Sequence, residues 1–158
     1  MNLNEKYKTL FNSYHVNTPL RIAHFMAQIE HESGGFKFFT ELGNKKYFDK
    51  YQGRKDLGNI YGGDGYKYRG RGYIQITGRA NYTVLSKDVR IDFINNPDLL
   101  SEEPNAIISA LWYWGKYKLN DLADIDNIET ITKKINGGFN GLADRKKLLI
   151  KWKSTLKL

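Results

Sequence analysis

Residues 27–36 read AQIEHESGGF, an apolar helical stretch that ends in a carboxylate and stops at a glycine pair. Ile22, Phe25 and Ile29 fall at i, i+3 and i+7, and three further residues along that stripe reach Glu32. The periodicity that buries Ile29 therefore aims Glu32 inward as well. Partial burial disfavours a negative charge there, and so does the partial negative end of the helix. Both favour the proton-bearing form, which is what a proton donor needs. A charged His31 beside it would offset them. Nine residues on, FTEL places Glu41 at the start of a polar loop, where hydration keeps a carboxylate ionised. No other glutamate follows before Glu102, although Asp49, Asp56 and Asp64 lie in the same loop and compete for the same role.

One sheltered acid and one solvated carboxylate is the division of labour of glycoside hydrolysis. The segment YKYRGRGYIQITGRANY, residues 66–82, supplies groups suited to sugars. Tyr66, Tyr68, Tyr73 and Tyr82 offer ring faces, while Arg69, Arg71, Gln75 and Asn81 offer planar hydrogen-bonding groups. A rival reading takes the stretch as an Arg-Gly element that stacks on single-stranded nucleic acid. The alternation from Tyr73 to Thr77 is that of an ordered strand, which argues against the rival.

Other chemistries are excluded by the residues themselves. HESGG has Gly35 where a His-Glu-x-x-His zinc site needs its second histidine. His24 and His31 lack a third ligand, and His24 reads as a packed core or helix-surface histidine. GRGYIQ has Gln75 where a dinucleotide loop needs its third glycine. There is no phosphate loop and no Gly-x-Ser-x-Gly turn. Asp121, Asp124 and Asp126 lack the spacing of a calcium loop. No metal and no cofactor is expected.

These residues need elements to hold them. A helix is predicted from Thr18 to Ser33, capped by Thr18, with Pro19 in its first turn and Gly34–Gly35 as its stop. Residues 36–65 dissolve into Gly, Asn, Asp, Lys and Tyr and read as loop with room for one short turn of helix. A strand or hairpin is expected over Tyr66–Thr77, then a helix around Asn81–Asp88. SEEPNAIISALWYWGKY is the strongest buried helix, with Ser101 as its expected cap. A further helix, Ile128–Ile135, ends in NGGF as the first ends in SGGF. The tail DRKKLLIKWKSTLKL reads as a terminal helix packed by Leu148, Leu149, Trp152 and Leu156, with a membrane-surface helix as the alternative.

With 158 residues, the chain is long enough for one domain with its own core, and a single catalytic domain over 1–158 is expected, without a separate wall-binding module. It has no cysteine, hence no disulfide framework and no thiolate metal site. No apolar run approaches membrane-spanning length, and MNLNEKYKTLFNSYHVN lacks the core of a signal peptide. The net charge of +8 favours polyanionic partners without choosing among them.

The motifs AQIEHESGGF, YRGRGYIQITGRANY and INGGFNGLADR, in that order, resemble glycoside hydrolase family 19, which contains chitinases and phage endolysins. The resemblance spans roughly Ile22 to Arg145. It implies that Glu32 is the general acid and Glu41 the base that activates water, as in the endolysin-like branch, with Thr77 helping to hold that water. It implies that Gln75 and Asn81 are substrate-binding amides and Arg71 the arginine of the Gly-Arg-Gly motif. Asn136 and Arg145 correspond to residues that line the cleft and support the carboxylates. With His31 and Tyr68 these form the candidate substrate-binding set. The family inverts anomeric configuration, for which the two carboxyls stand about 6.5–9.5 Å apart. The implied fold is mainly α, a lysozyme-like two-lobed helical domain with a small β-hairpin element and a cleft between the lobes. The absence of cysteines and of the longer plant-type insertion turns the expectation toward a peptidoglycan-degrading endolysin. Such an enzyme would wait in a host cytoplasm until another factor opens the membrane, and would act as a monomer on glycan strands. It would need neither nucleic acid nor membrane insertion. A chitinase is the alternative, and a non-enzymatic nucleic-acid or wall-binding protein a distant one.

Overall fold

The computed structural model describes residues 2–37 and 39–158. Its helices are α1 (Leu3–Lys6), α2 (Lys8–Ser13), α3 (Pro19–Glu32), α4 (Asp64–Lys67), α5 (Arg79–Val89), α6 (Asn105–Lys116), α7 (Leu119–Asp124), α8 (Ile128–Asn136) and α9 (Leu142–Thr155). Short 3₁₀ turns lie at Tyr47–Tyr51, Lys55–Leu57 and Pro97–Ser101. The chain divides into two compact units, residues up to 36 with 110–158, and residues 37–109. The boundary falls inside α6.

The first unit is built on α3. Thr18 Oγ1 accepts from the Arg21 amide at 3.2 Å and Pro19 opens the helix. Gly34 and Gly35, at φ +61° and +79°, turn the chain out of it as their types require. Every residue from Ala23 to Ile29 is buried, including His24 and Gln28. Phe25 sits edge-on between Phe11 and Trp114, with ring centroids 5.3 Å from each. Against α3 packs α9, which buries Arg145, Leu149 and Trp152 and leaves its lysines mostly in solvent. Trp152 Nε1 and Lys151 Nζ both donate to Glu30, each at 2.6 Å. The tail is therefore a packed helix, and its apolar side is spent on α3. Asn127 caps α8, accepting from the Thr130 amide, and Gly137 ends it at φ +81°.

His24 shows how tightly this unit is closed. Its Nε2 meets Asp126 at 2.6 Å, while its buried Nδ1 has no partner among the described residues. Protonation would place an unpaired N–H in the core. Burial accordingly pushes the imidazole below its ordinary value of 6.5, with Asp126 opposing less strongly. An unfolded imidazole takes its proton near 6.5 while the folded one resists until lower pH, so stability is full above 6.5 and declines as pH falls beneath it. A series of chemical denaturation curves between pH 7.5 and 5 should show this decline, and His24→Gln should flatten it.

The second unit carries α4, α5 and the beginning of α6 around Phe48, Tyr68, Tyr82, Leu85, Phe93 and Leu100, all buried. Of the strand or hairpin expected over Tyr66–Thr77, a minimal antiparallel hairpin forms in place of an extended strand. Residues 64–67 are helical, and beyond them the chain makes a tight turn marked by single bridges between Thr40 and Arg71 and between Arg71 and Ile76. Gly72 and Gln75, at φ +78° and +60°, break the alternation that suggested a longer ladder. Ser101 does not cap α6. It lies in the 3₁₀ turn before it, where its hydroxyl donates to the Phe39 carbonyl at 3.1 Å. The polar stretch 36–65 contains two 3₁₀ turns and is stitched by buried Asn59, whose amide donates to Tyr51 O and accepts from the Arg79 amide, both at 2.9 Å.

Candidate active site

Glu32 is the last residue of α3, and its side chain is 20% exposed. Its Oε1 receives Arg145 Nη2 at 2.6 Å, while Arg145 Nη1 donates to Gln28 Oε1 at 2.6 Å and Nε to the Asn140 carbonyl at 3.2 Å. Gln28 stands one helical turn before Glu32 on the same stripe, and its amide donates on to Thr132 at 3.3 Å. One buried guanidinium thus ties α3 to α9 and fixes the direction of the carboxyl group. Beside it runs a parallel tie: His31 Nδ1 meets Asp144 at 2.6 Å. The close approach explains Gly141, at φ +74°, because a Cβ there would lie 2.3 Å from the His31 ring. Ser33, the third residue of the His-Glu-Ser motif, turns back on the helix, donating to Ile29 O at 2.6 Å and accepting from the Phe36 amide. Tyr113, pushed up to about 12 by burial with Tyr117 and Glu32 adding to it, stays a phenol and donates to the Lys134 carbonyl.

The arginine changes the electrostatics read from the sequence. A guanidinium held at 2.6 Å is a partner of Glu32 that the helix pattern alone does not show. Arg145 lies 113 residues away in the chain, so its influence is absent from any local reading.

In the second unit, Glu41 is half-buried, and its amide donates to Gly70 O at 2.7 Å. Tyr51 donates its hydroxyl to Glu41 Oε2 at 3.0 Å. Burial, and then the Glu41 contact itself, raise the Tyr51 phenol above 10.0, so it remains a donor across the working range. The competing aspartates are distinguished by their partners. Asp56 is clasped by Arg54. Asp64 is buried, and although burial pushes it up, two bonds from Arg79 and one from the Tyr61 amide hold it below 3.8. Asp49 is exposed. Thr77 Oγ1 donates to Gln75 O at 3.0 Å and keeps its lone pairs for an incoming hydrogen bond. Asn81 Nδ2 donates to Thr77 O at 2.8 Å, and Gln75 Nε2 to Gly72 O at 2.9 Å.

Three residues of the substrate-binding set are buried. Tyr68 has no exposed surface and its hydroxyl donates to Ile94 O, so it is core. Arg71 is 1% exposed and bonded to Lys67 O and Tyr82. Arg145, also 1% exposed, positions Glu32 without a face for a sugar. His31, Gln75, Asn81 and Asn136 retain partial exposure. Sequence reasoning missed Gln28, Asp144 and Tyr51. Gln28 carries a signal, four residues before Glu32, and Asp144 adjoins Arg145, but nothing local marks Tyr51. Among the described residues no group of three or more His, Asp or Glu side chains could hold a metal ion, and no helix is long and apolar enough to cross a membrane.

Residues 13–128 match the family model described as chitinase class I. A glycosyl hydrolase family 19 domain-containing protein of Haemophilus influenzae is 38% identical over 154 aligned residues, covering 80% of this chain and 75% of that protein. An Arabidopsis thaliana endochitinase is 34% identical over 119 residues, which is 74% of this chain and 39% of the plant protein. Chitinase C from Streptomyces griseus shares the fold with a TM-score of 0.77 at 23% identity, over 99% of this chain and 71% of its own. The chain belongs to glycoside hydrolase family 19. It is a glycoside hydrolase of the chitinase type, with that family's lysozyme-like, mainly helical fold.

Proposed function

We propose that the chain hydrolyses β-1,4 bonds between N-acetylated amino sugars of bacterial peptidoglycan by an inverting acid–base mechanism. The observation that carries the chemistry is Glu32, a partly open carboxyl group clamped by Arg145 at the end of a buried helix. Glu32 gives its proton to the glycosidic oxygen as the bond to the anomeric carbon breaks. Glu41 takes a proton from the water that attacks that carbon, and Thr77 orients the water. The two carboxyl groups exchange protonation states, and solvent restores them. Gln75, Asn81 and Asn136 bind the sugar amides and hydroxyls.

The net charge of +8 supports an anionic polymer as the substrate, and the similarity to a Haemophilus protein supports a bacterial setting. Chitin is the second reading, favoured by the matches to plant endochitinases. Mass spectrometry of the soluble products from bacterial sacculi and from chitin oligomers separates them. New reducing ends from sacculi alone support the first reading, while efficient chitin cleavage with intact sacculi supports the second. Glu41→Gln should lower turnover at least a hundredfold in either case, in the range of lost acid–base catalysis. Sensitivity of Asp49→Asn with an active Glu41→Gln variant would move the base to Asp49. Tyr51→Phe removes one hydrogen bond to the base, and a drop in kcat of roughly tenfold at unchanged KM is expected, consistent with about 1.4 kcal/mol.

A further inference from the structure

Three arginines of this chain meet carboxylates through the Nε–Nη2 edge of the guanidinium. Arg21 offers Nε and Nη2 to Asp124, both at 2.7 Å, and Arg79 offers the same nitrogens to Asp64, both at 2.8 Å. Arg54 does so with Asp56 at 3.1 and 2.5 Å. Arg71 makes only half of this fork. Its Nη1 donates to the Lys67 carbonyl at 2.7 Å and the Tyr82 hydroxyl at 2.9 Å, and its Nη2 to Asp98 at 3.1 Å. Its Nε is shut off from solvent, on a residue 1% exposed, and has no acceptor among the described residues. A buried donor without an acceptor is an expensive feature of a fold.

The guanidinium lines a recess of about 240 Å³ whose other walls are Tyr66, Lys67, Arg69, Pro97 and Asp98. Three cations face one carboxylate there. Arg69 is held in place, donating to the Tyr66 carbonyl at 2.9 Å and stacking on the Tyr66 ring at 4.1 Å. Asp98 is the loose member: its side chain is 86% exposed and touches Arg71 through a single bond. An exposed contact of that kind is readily exchanged for a better one.

We propose that this recess binds a small oxyanion, a carboxylate or phosphate group, on the Nε–Nη2 edge of Arg71. Lys67 and Arg69 neutralise the anion, and Asp98 swings into solvent as it enters. Planar, two-pronged recognition of this kind is what arginine supplies and lysine does not. The site contains none of Glu32, Glu41, Thr77 and Gln75, so it stands or falls separately from the cleavage reading. It gives the protein a hold on anionic groups of a polymer or a free ligand.

The test is titration of the full chain, followed by amide chemical shifts, with inorganic phosphate and separately with acetate at constant ionic strength. Chloride serves as the reference. Saturable shifts centred on residues 66–71 and 97–98 are expected. Lys67→Ala/Arg69→Ala should weaken binding at least tenfold, and Asp98→Asn should tighten it several-fold. Both variants lie at the surface, and thermal melts check that they fold. Tighter binding of phosphate would identify a phosphate group as the ligand, and tighter binding of acetate a carboxylate. Responses no different from chloride, full binding in the double variant, or weaker binding by Asp98→Asn would each overturn the proposal.

Discussion

Glu32→Gln should lower turnover by about 10²–10⁴-fold while leaving the fold in place. The amide oxygen of glutamine still accepts from Arg145 Nη2, so the tie between α3 and α9 persists in weaker form. What disappears, on the proposed mechanism, is the transferable proton. Glu30, the neighbouring carboxylate, is committed to Lys151 and Trp152. Initial rates on a defined oligomer, together with far-ultraviolet circular dichroism and a thermal melt, separate loss of chemistry from loss of structure. Near-normal rates from a folded variant would remove Glu32 from the mechanism.

Arg145→Ala should act on stability and catalysis together. It strips donors from Glu32, Gln28 and the Asn140 carbonyl at once, and leaves a cavity where a fully enclosed guanidinium stood. Removing one partner of a buried pair costs about 3–5 kcal/mol. For a domain of this size that corresponds to a melting temperature lower by roughly 6–20 °C, at about 2–4 °C per kcal/mol. Glu32 has 20% of its side chain in solvent, which places the expected loss toward the lower end. A double-mutant cycle with Glu32→Gln measures the coupling, and the doubly changed protein should be more stable than the summed losses predict. Strict additivity would mean that the two side chains do not communicate. Activity assayed well below the melting point should still be strongly reduced, because the carboxyl group is no longer aimed.

The helices were legible wherever their ends carried strong punctuation. Thr18, Pro19 and the Gly34–Gly35 pair bound α3 to within a residue, and the NGGF ending did the same for the end of α8. Between Tyr73 and Thr77 five alternating positions suit a tight hairpin turn as well as an extended strand, and the turn is what forms. The left-handed backbone at Gln75, which decides between them, leaves no trace in a residue type that seldom adopts it. In the sequence Tyr68 and Arg71 suggest sugar binding because an aromatic ring or a guanidinium suits both a cleft and a core. Only the packing around them tells which. Tyr51 on Glu41 and Arg145 on Glu32 lie ten and 113 positions from their partners, beyond the reach of periodicity.

The separation between Glu32 and Arg145 also has a bearing on when the protein becomes competent. The carboxylate is synthesised early, but the guanidinium that aims it belongs to α9, the last helix described. A nascent chain therefore carries its acid unanchored until α9 has been made. Closure of that one long-range pair is the step that fixes the direction of the carboxyl group proposed as the proton donor. Any fusion or nick that frays α9 would return Glu32 to that unanchored condition.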